Sequence, residues 1–442
     1  MDTWIDDDVT EYEEFMHLQA QFRHQLQALE DEEDDCALAA AAFLVFSSEE
    51  AKAICTARRS QRRRYLIRAD LLPDPQGATP WQILYGGRND RAFITTMGLD
   101  TITFQDILNK GFEELWNSYA ITRADIASDA TPRAYRRSLD APGALGLILH
   151  WLSSTMHDVS LCEIFALTPV TVSQYIIFSL QILLNTLHRM EAACIRWPIG
   201  DEFQELNGLI IDRHPLLTGA FGSMDGLNLP VQTSSDENIE NATYNGWLHS
   251  HCVSSIFVFA ADGAIIACNL NVPGSWHDSR VAQPIYDKLK YYTPEGYYLV
   301  ADTAFPCGSL DIEGKIHVPL KDGAPLPQDY QERKQLVDFT HSLTSYRQTV
   351  EWGMRALQGS FSRLRIPLSI NYSEFRGDIL EVVSHLHNVH THCVGINQIR
   401  SIYMPLWNDE EEFWIKLGSL QFSEQRRDDR VHRFHITASE EV

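Results

Sequence analysis

Between residues 215 and 320 the chain changes its hydrophobic period, and that change limits its fold more than any other feature. Before it, across 80–200, "PWQILYGG", "DTITFQDILNKGFEELWNSY", "GALGLILHWLSSTMH" and "TVSQYIIFSLQILLNTLHRM" carry apolar residues at three- and four-residue spacing, which predicts helices. Inside it, "GAFGSMDGLNLPV", "CVSSIFVFAADG", "AIIACNLNV", "YYLVAD" and "IHVPL" are short β-type runs separated by Gly, Asp, Asn and Pro. A polar insertion, "KDGAPLPQDYQERK", comes next; a long helical pattern then returns from about 336 to 365 and resumes in "GDILEVVSHLHNVHTHC". That order predicts an α+β protein: one sheet with flanking helices, preceded by an all-helical region. No internal repeat is visible.

Size supports a large core. With 442 residues and 44% apolar content, the chain has material for two or three units of domain size. The longest uncharged apolar run near its start, "CALAAAAFLVF" at 36–46, is too short to cross a bilayer, and the acidic stretch before it is unlike the basic start of a signal peptide. A soluble protein of the cytosol or nucleus, with no membrane partner, is expected. The eight cysteines are scattered without a CxxC pair, so reduced, mostly core thiols are expected. The sequons "NAT" at 241 and "NYS" at 371 should accordingly carry no sugar.

A formal net charge of −24 looks hostile to nucleic acid, but its distribution matters more. Residues 1–35 hold 13 acids against one Arg, half of the whole excess. This segment reads as a solvated or partner-binding arm, partly disordered, with an amphipathic helix in its middle. Directly after it, "ARRSQRRRYLIR" at 57–68 has six Arg in twelve residues, suited to a solvated face, a nuclear-import signal or phosphate contact. The arm is expected to repel a polyanion or to cover the basic run.

Within the helical region, Ser160–Ala166, a break at Leu167-Thr168-Pro169 and a second helix opening with Val170, Thr171, Ser173 and Gln174 form the outline of a helix-turn-helix. The second helix has no Lys or Arg in its first three turns, and any αα-hairpin can share this outline.

Three acids stand out by position. Asp225 sits mid-strand among small residues in "FGSMDGLNLP", Asp302 ends the strand "YYLVAD", and Glu351 lies at the edge of the buried stripe of a long helix. Two Asp from neighbouring strands and a helical Glu offer the hard oxygens that Mg²⁺ or Mn²⁺ prefers, the layout of two-metal phosphoryl transfer. By themselves, three acids among 60 carry little weight.

The words around them carry more. "MDG", "YNGWLHSHCVSSIFVFAADGAI", "VPGSWHDSRVAQ", "YYLVADTAFP", "VEWGMRALQGSFSRL" and "LHN" at 386–388 succeed one another in an order and spacing that resembles the DDE endonuclease domain of the PIF/Harbinger transposase superfamily, including the Harbinger transposase-derived nucleases. The resemblance spans roughly 140–395. It implies an RNase H-like mixed sheet and a helix-turn-helix ahead of it at 158–184. It also implies Asp225, Asp302 and Glu351 as catalytic metal ligands for Mg²⁺ (or Mn²⁺), with Asp302 at the end of the fourth strand. Asp278 in "SWHDS" competes for that second place, its bland alternative being a helix N-cap beside His277. Leu227-Asn228 and Ala301 stand where many members have Thr-His and Gly.

The activity implied is that of a metal-dependent DNA endonuclease or transposase, with water as nucleophile, no covalent enzyme intermediate and strand transfer to a 3′-hydroxyl as a second step. Double-stranded DNA, a separate Myb-like or other DNA-binding protein and a second copy of the chain are the partners implied, and the nucleus is the address. The alternative is a domesticated, catalytically silent DNA- or protein-binding factor. The chain divides into an acidic arm (1–56), a basic run and helical region (57–140), a helix-turn-helix-like region (141–200), the endonuclease domain (215–395) and a C-terminal tail (396–442). His385, His387, His390 and His392 are expected to pack and hydrogen-bond, because on one helix no carboxylate or cysteine completes a tetrahedral zinc set.

Overall fold

The computed structural model describes residues 65–121, 131–305, 312–321, 323–395 and 397–404, together with 20, 21 and 23. Apart from those last three residues, the acidic arm lies outside the described residues, as do the arginines of the basic run up to Arg64 and the chain after Met404.

Short helices open the structure, each started by a side chain that accepts from an otherwise orphaned backbone NH. Thr79 caps α1 (Pro80–Gly87), Asn89 caps α2 (Asp90–Met97) and Asp100 caps α3 (Thr101–Ile107). A π-helical turn, Leu108–Phe112, leads into α4 (Glu113–Ser118). Asp140 caps α5 (Ala141–Ser153), which is buried almost all round. Next come α6 (Asp158–Phe165) and α7 (Pro169–Leu187), joined at Ala166, whose left-handed backbone (φ 52°) turns the chain. By length and composition α7 could cross a bilayer, but half of its apolar window is buried inside the protein, and it packs on α5 and on α13 described below. Its apolarity is that of a core helix.

After α8 (Glu202–Ile211) the sheet begins. Its strands are β1 (Ala220–Pro230), β2 (Tyr244–Asn245, after α9, Glu237–Thr243), β3 (Ser250–Ala260) and β4 (Ile265–Pro273). Two helices, α10 (Asp278–Val281) and α11 (Gln283–Tyr292), then cross to β5 (Tyr298–Ala301), and β6 (Ile316–His317) closes the set. The order is β2-β3-β1-β5-β6, with β4 also on β3. β3 runs antiparallel to β1, β2 and β4, whereas β5 and β6 add in parallel on the far side of β1. The sheet is therefore mixed, with β1 at its centre and buried on both faces.

Alternation along the strands feeds two cores. Leu227, Leu229, Phe257, Phe259 and Val300 point into a core shared with α5, α7, α12 (Tyr330–Ser360) and α13 (Ser373–Val389). Met224, Ile256, Val258, Leu299 and Ala301 point the other way, against α10 and α11. The first core runs without interruption from Trp81 to Tyr403, so the helical region and one sheet face are a single packed body. A short helix, α14 (Gln398–Tyr403), ends the described chain.

Candidate functional site

Strand register brings the first two acids together. In the parallel pair β1/β5, Met224 lies opposite Ala301, so Asp225 and Asp302 occupy the next rung. Met224 and Ala301 face the α10/α11 core; alternation turns Asp225 to the other face, the one covered by α12. Each carboxylate accepts from the backbone NH of its successor, Gly226 and Thr303, both at 2.7 Å.

Glu351 comes from α12, and its link to the strands is an arginine that sequence reasoning missed. Arg347, one helical turn earlier, donates to Glu351 at 2.9 Å and lies 3.8 Å from Asp225. A buried hydroxyl pair fixes the helix above the strand: Thr349 donates to the Tyr346 carbonyl (2.7 Å), leaving the Ser223 hydroxyl to donate to Thr349 Oγ1 (2.7 Å). Ser223 and Thr349 each stand two residues before the acid they help position. The helix can lie this low because residue 353 is glycine: a Cβ there would come within 2.7 Å of the Phe259 ring.

Asp278 needs a correction. The cap of α10 is His277, whose Nδ1 accepts from the Ser279 NH, and Asp278 is the first residue inside the helix. Its carboxylate instead seats over Gly226, where a Cβ would sit 3.0 Å from Oδ1. Gly226 alternates with Asp225, so Asp278 approaches the adjacent rung from the opposite face of the sheet.

Electrostatics bind these groups into one neighbourhood. Burial raises the Asp225 carboxyl to about 6; the Gly226 NH and Arg347 pull it down, and the nearby Asp302 and Asp278 push it up. Burial likewise raises Asp278, with His277 opposing and Asp302 adding to the rise. The oxygen donors and their mutual repulsion suit a hard divalent cation. In this arrangement the three carboxylates do not close to within 4.8 Å of one another, and part of the intervening space belongs to Arg347.

Leu227, Asn228 and Ala301 have structural roles. Leu227 is core, and Asn228 accepts from Ser254 (2.6 Å) on the antiparallel partner strand. Ala301 is fully buried.

The histidines of α13 and of the π-helical turn after it, His390–Val394, mostly pack and bond to backbone, as expected. His387 Nε2 donates to the Gly263 carbonyl (3.1 Å), and His392 Nδ1 to that of Ala192 (3.0 Å). The expectation that no carboxylate stands by them fails at His385. Glu381, one turn earlier, and His188, from the end of α7, bring three ligand atoms within 4.8 Å of one another. Spacing along one helix could not reveal this set, because the third group lies 193 residues from Glu381.

Neither a curated protein nor a solved structure matches the chain. Residues 224–388, which include Asp225, Asp302, Asp278, Arg347 and Glu351 alike, match the family model of the DDE superfamily endonuclease.

Proposed function

We propose that the protein is a metal-dependent nuclease of the DDE type, of the PIF/Harbinger kind, that cleaves phosphodiester bonds in double-stranded DNA in the nucleus. The observation that carries this reading is the adjacency of Asp225 and Asp302 on parallel strands, with Glu351 tethered to the same cleft through Arg347, all inside the matching segment. Three antiparallel strands followed by two parallel ones also support the RNase H-like reading of the sheet.

Asp225, Asp302 and Glu351 would hold Mg²⁺ or Mn²⁺. When bound, such ions lower the pKa of water and stabilise the leaving oxygen of an in-line displacement. The chain's own part is to present the acids on a rigid frame. β1 and β5 fix two of them by backbone hydrogen bonding, and the Ser223–Thr349 link fixes the third relative to β1. Because Asp225 holds its proton up to about pH 6, cation affinity should rise as pH passes that value.

DNA contact at α6/α7 draws support from the tight turn and from the exposed Val170 at the start of α7. The hydroxyls there are engaged within the protein, however: Thr168 pairs with Thr171 (2.9 Å), and Ser173 donates to the Pro169 carbonyl (3.1 Å). With no cation in the first turns of α7, phosphate affinity is assigned to the basic run at 58–68 or to a basic DNA-binding partner.

The test is strand cleavage of supercoiled and linear duplex DNA by full-length protein with Mg²⁺ or Mn²⁺, beside Asp302→Asn. Cleavage that needs the ion and vanishes in the variant is expected. Duplex binding without cleavage, equal in both proteins, would instead identify a silent DNA-binding factor.

A further inference from the structure

We infer that His188, Glu381 and His385 form a second, separate cation site, built for zinc or a similar transition metal, that fastens α7 to α13. This inference does not depend on the nuclease reading, because none of the three belongs to the carboxylate cleft.

Distances come first. His188 Nε2 lies 2.9 Å from Glu381 Oε1, His385 Nε2 lies 3.9 Å from the same oxygen, and the three ligand atoms are all within 4.8 Å of one another. Tetrahedral zinc, with bonds of ~2.0–2.1 Å to nitrogen and oxygen, places its ligands about 3.4 Å apart. The observed spacings straddle that value, so small side-chain adjustments suffice. Glu381 and His385 are one turn apart on one face of α13, and the ring of His188 meets that of His385 edge to face at 5.0 Å.

The outer support of the site is also in place. His385 Nδ1 is 2.7 Å from the Ala193 carbonyl, which can only accept, so the ring proton sits on Nδ1 and the Nε2 lone pair faces Glu381 and His188. A ligating histidine is usually held in this way, by a backbone carbonyl on its other nitrogen. Asn388, on the next turn, donates to the Cys194 carbonyl (2.9 Å) and so holds the segment that carries Ala193. Two imidazoles and one carboxylate select a borderline metal such as Zn²⁺ over Mg²⁺ or Ca²⁺, which take oxygen. The side chains of His188 and Glu381 are 46% and 42% exposed, which gives an ion access from solvent and leaves water to fill a fourth position.

An ordinary histidine–glutamate ion pair is the competing account, and metal titration separates the two. Chelator-treated full-length protein at pH 8 is titrated with Zn²⁺ and separately with Co²⁺. One equivalent should bind, raise the melting temperature and, for Co²⁺, produce visible absorption of tetrahedral type. His188→Ala and Glu381→Gln, both at exposed positions, should weaken binding at least about tenfold. His188→Cys, which can ligate zinc but cannot act as a cation, should largely restore it, and Asp302→Asn should leave it unchanged. Wild-type affinity in both His188→Ala and Glu381→Gln would overturn the site, as would a wild-type protein that takes up no Zn²⁺, or loss of binding in Asp302→Asn alone.

Discussion

At the β3–β4 turn, side chains from α13 and from the cap of α14 answer backbone groups of Gly263 and Ile265. Asn388 accepts from the Ile265 NH (2.8 Å) while donating to the carbonyls of Ile265 and Cys194 (both 2.9 Å). His387 and Asn397 both donate to Gly263 (3.1 Å each). Across the same sheet, at the rung of Asp225, the chain does the reverse. It gathers Asp225, Asp302 and Asp278, where Asp302 disfavours the ionisation of both others and Asp278 that of Asp225, and sets Arg347 beside them, 3.8 Å from Asp225. The first region is satisfied by the protein alone. The second leaves like charges facing one another, and that difference separates a structural polar network from a candidate site.

The largest expected effect would break the comparison into its halves. Asp302→Asn should keep the fold and reduce metal-dependent cleavage on the order of 10³-fold, since several kcal/mol of charge stabilisation is at stake and each ~1.4 kcal/mol is tenfold. Asn388→Leu should do the opposite. It orphans the buried NH and carbonyl of Ile265 and should cost about 3 kcal/mol or more in urea unfolding, with cleavage per folded molecule retained. If Asn388→Leu were as stable as wild type, the network would not be structural. A loss of stability in Asp302→Asn would undo the other half.

How far this contrast could be read from the sequence depends on chain distance. Short β-type runs announced five of the six strands, and the placement of Asp225 mid-strand and Asp302 at a strand end was legible because each is a local fact. That the two share a rung follows from strand order, which no local pattern encodes. Arg347 was overlooked because a charge on a helix surface is ordinary; only the approach of β1 makes it a partner of Asp225. Asp278 was read as a cap because it precedes a helical run, but the cap is one residue earlier, and its seat over Gly226 depends on a glycine 52 positions away. His188 escaped notice for the same reason: its partners are on another helix.

A pH series in chelator sharpens the comparison, because the two regions titrate in opposite senses. His387 in the first region, and His150 on α5 outside both, are held down to about 4 by burial; the Gly263 carbonyl opposes the fall at His387. The unfolded chain therefore binds protons that the native one refuses, and these residues withdraw stability as pH falls from about 6.5 towards 4. Asp225 is raised from 3.8 to about 6, so there the native state binds the extra proton, and stability falls as pH rises through that window. Asp225→Asn should make the metal-free protein more stable above pH 6, by about 3 kcal/mol at most. It should also leave an uncompensated decline towards acid. Superimposable wild-type and variant stabilities from pH 4 to 8 would show that Asp225 bears no such strain.

The smallest effect concerns the one link that joins a satisfied hydroxyl pair to the unsatisfied cleft. In Ser223→Ala, Thr349 keeps its donation to Tyr346, so no buried donor is orphaned and the loss is one neutral hydrogen bond of about 1 kcal/mol. The Ser223 hydroxyl touches neither Arg347 nor an acid in this structure; its effect on cleavage would have to pass through the height of α12 above β1 and hence the position of Glu351. A severalfold fall in kcat with KM for DNA unchanged is therefore expected, together with weaker Mg²⁺ stabilisation of the folded protein, since a looser Glu351 holds the ion less well. Gly353→Ala should produce the same pattern by a different route, lifting the helix off Phe259. If Ser223→Ala lost stability alone, with kcat and the Mg²⁺ response untouched, the hydroxyl pair would belong with Asn388 among the structural contacts, and Glu351 would be positioned by Arg347 without it.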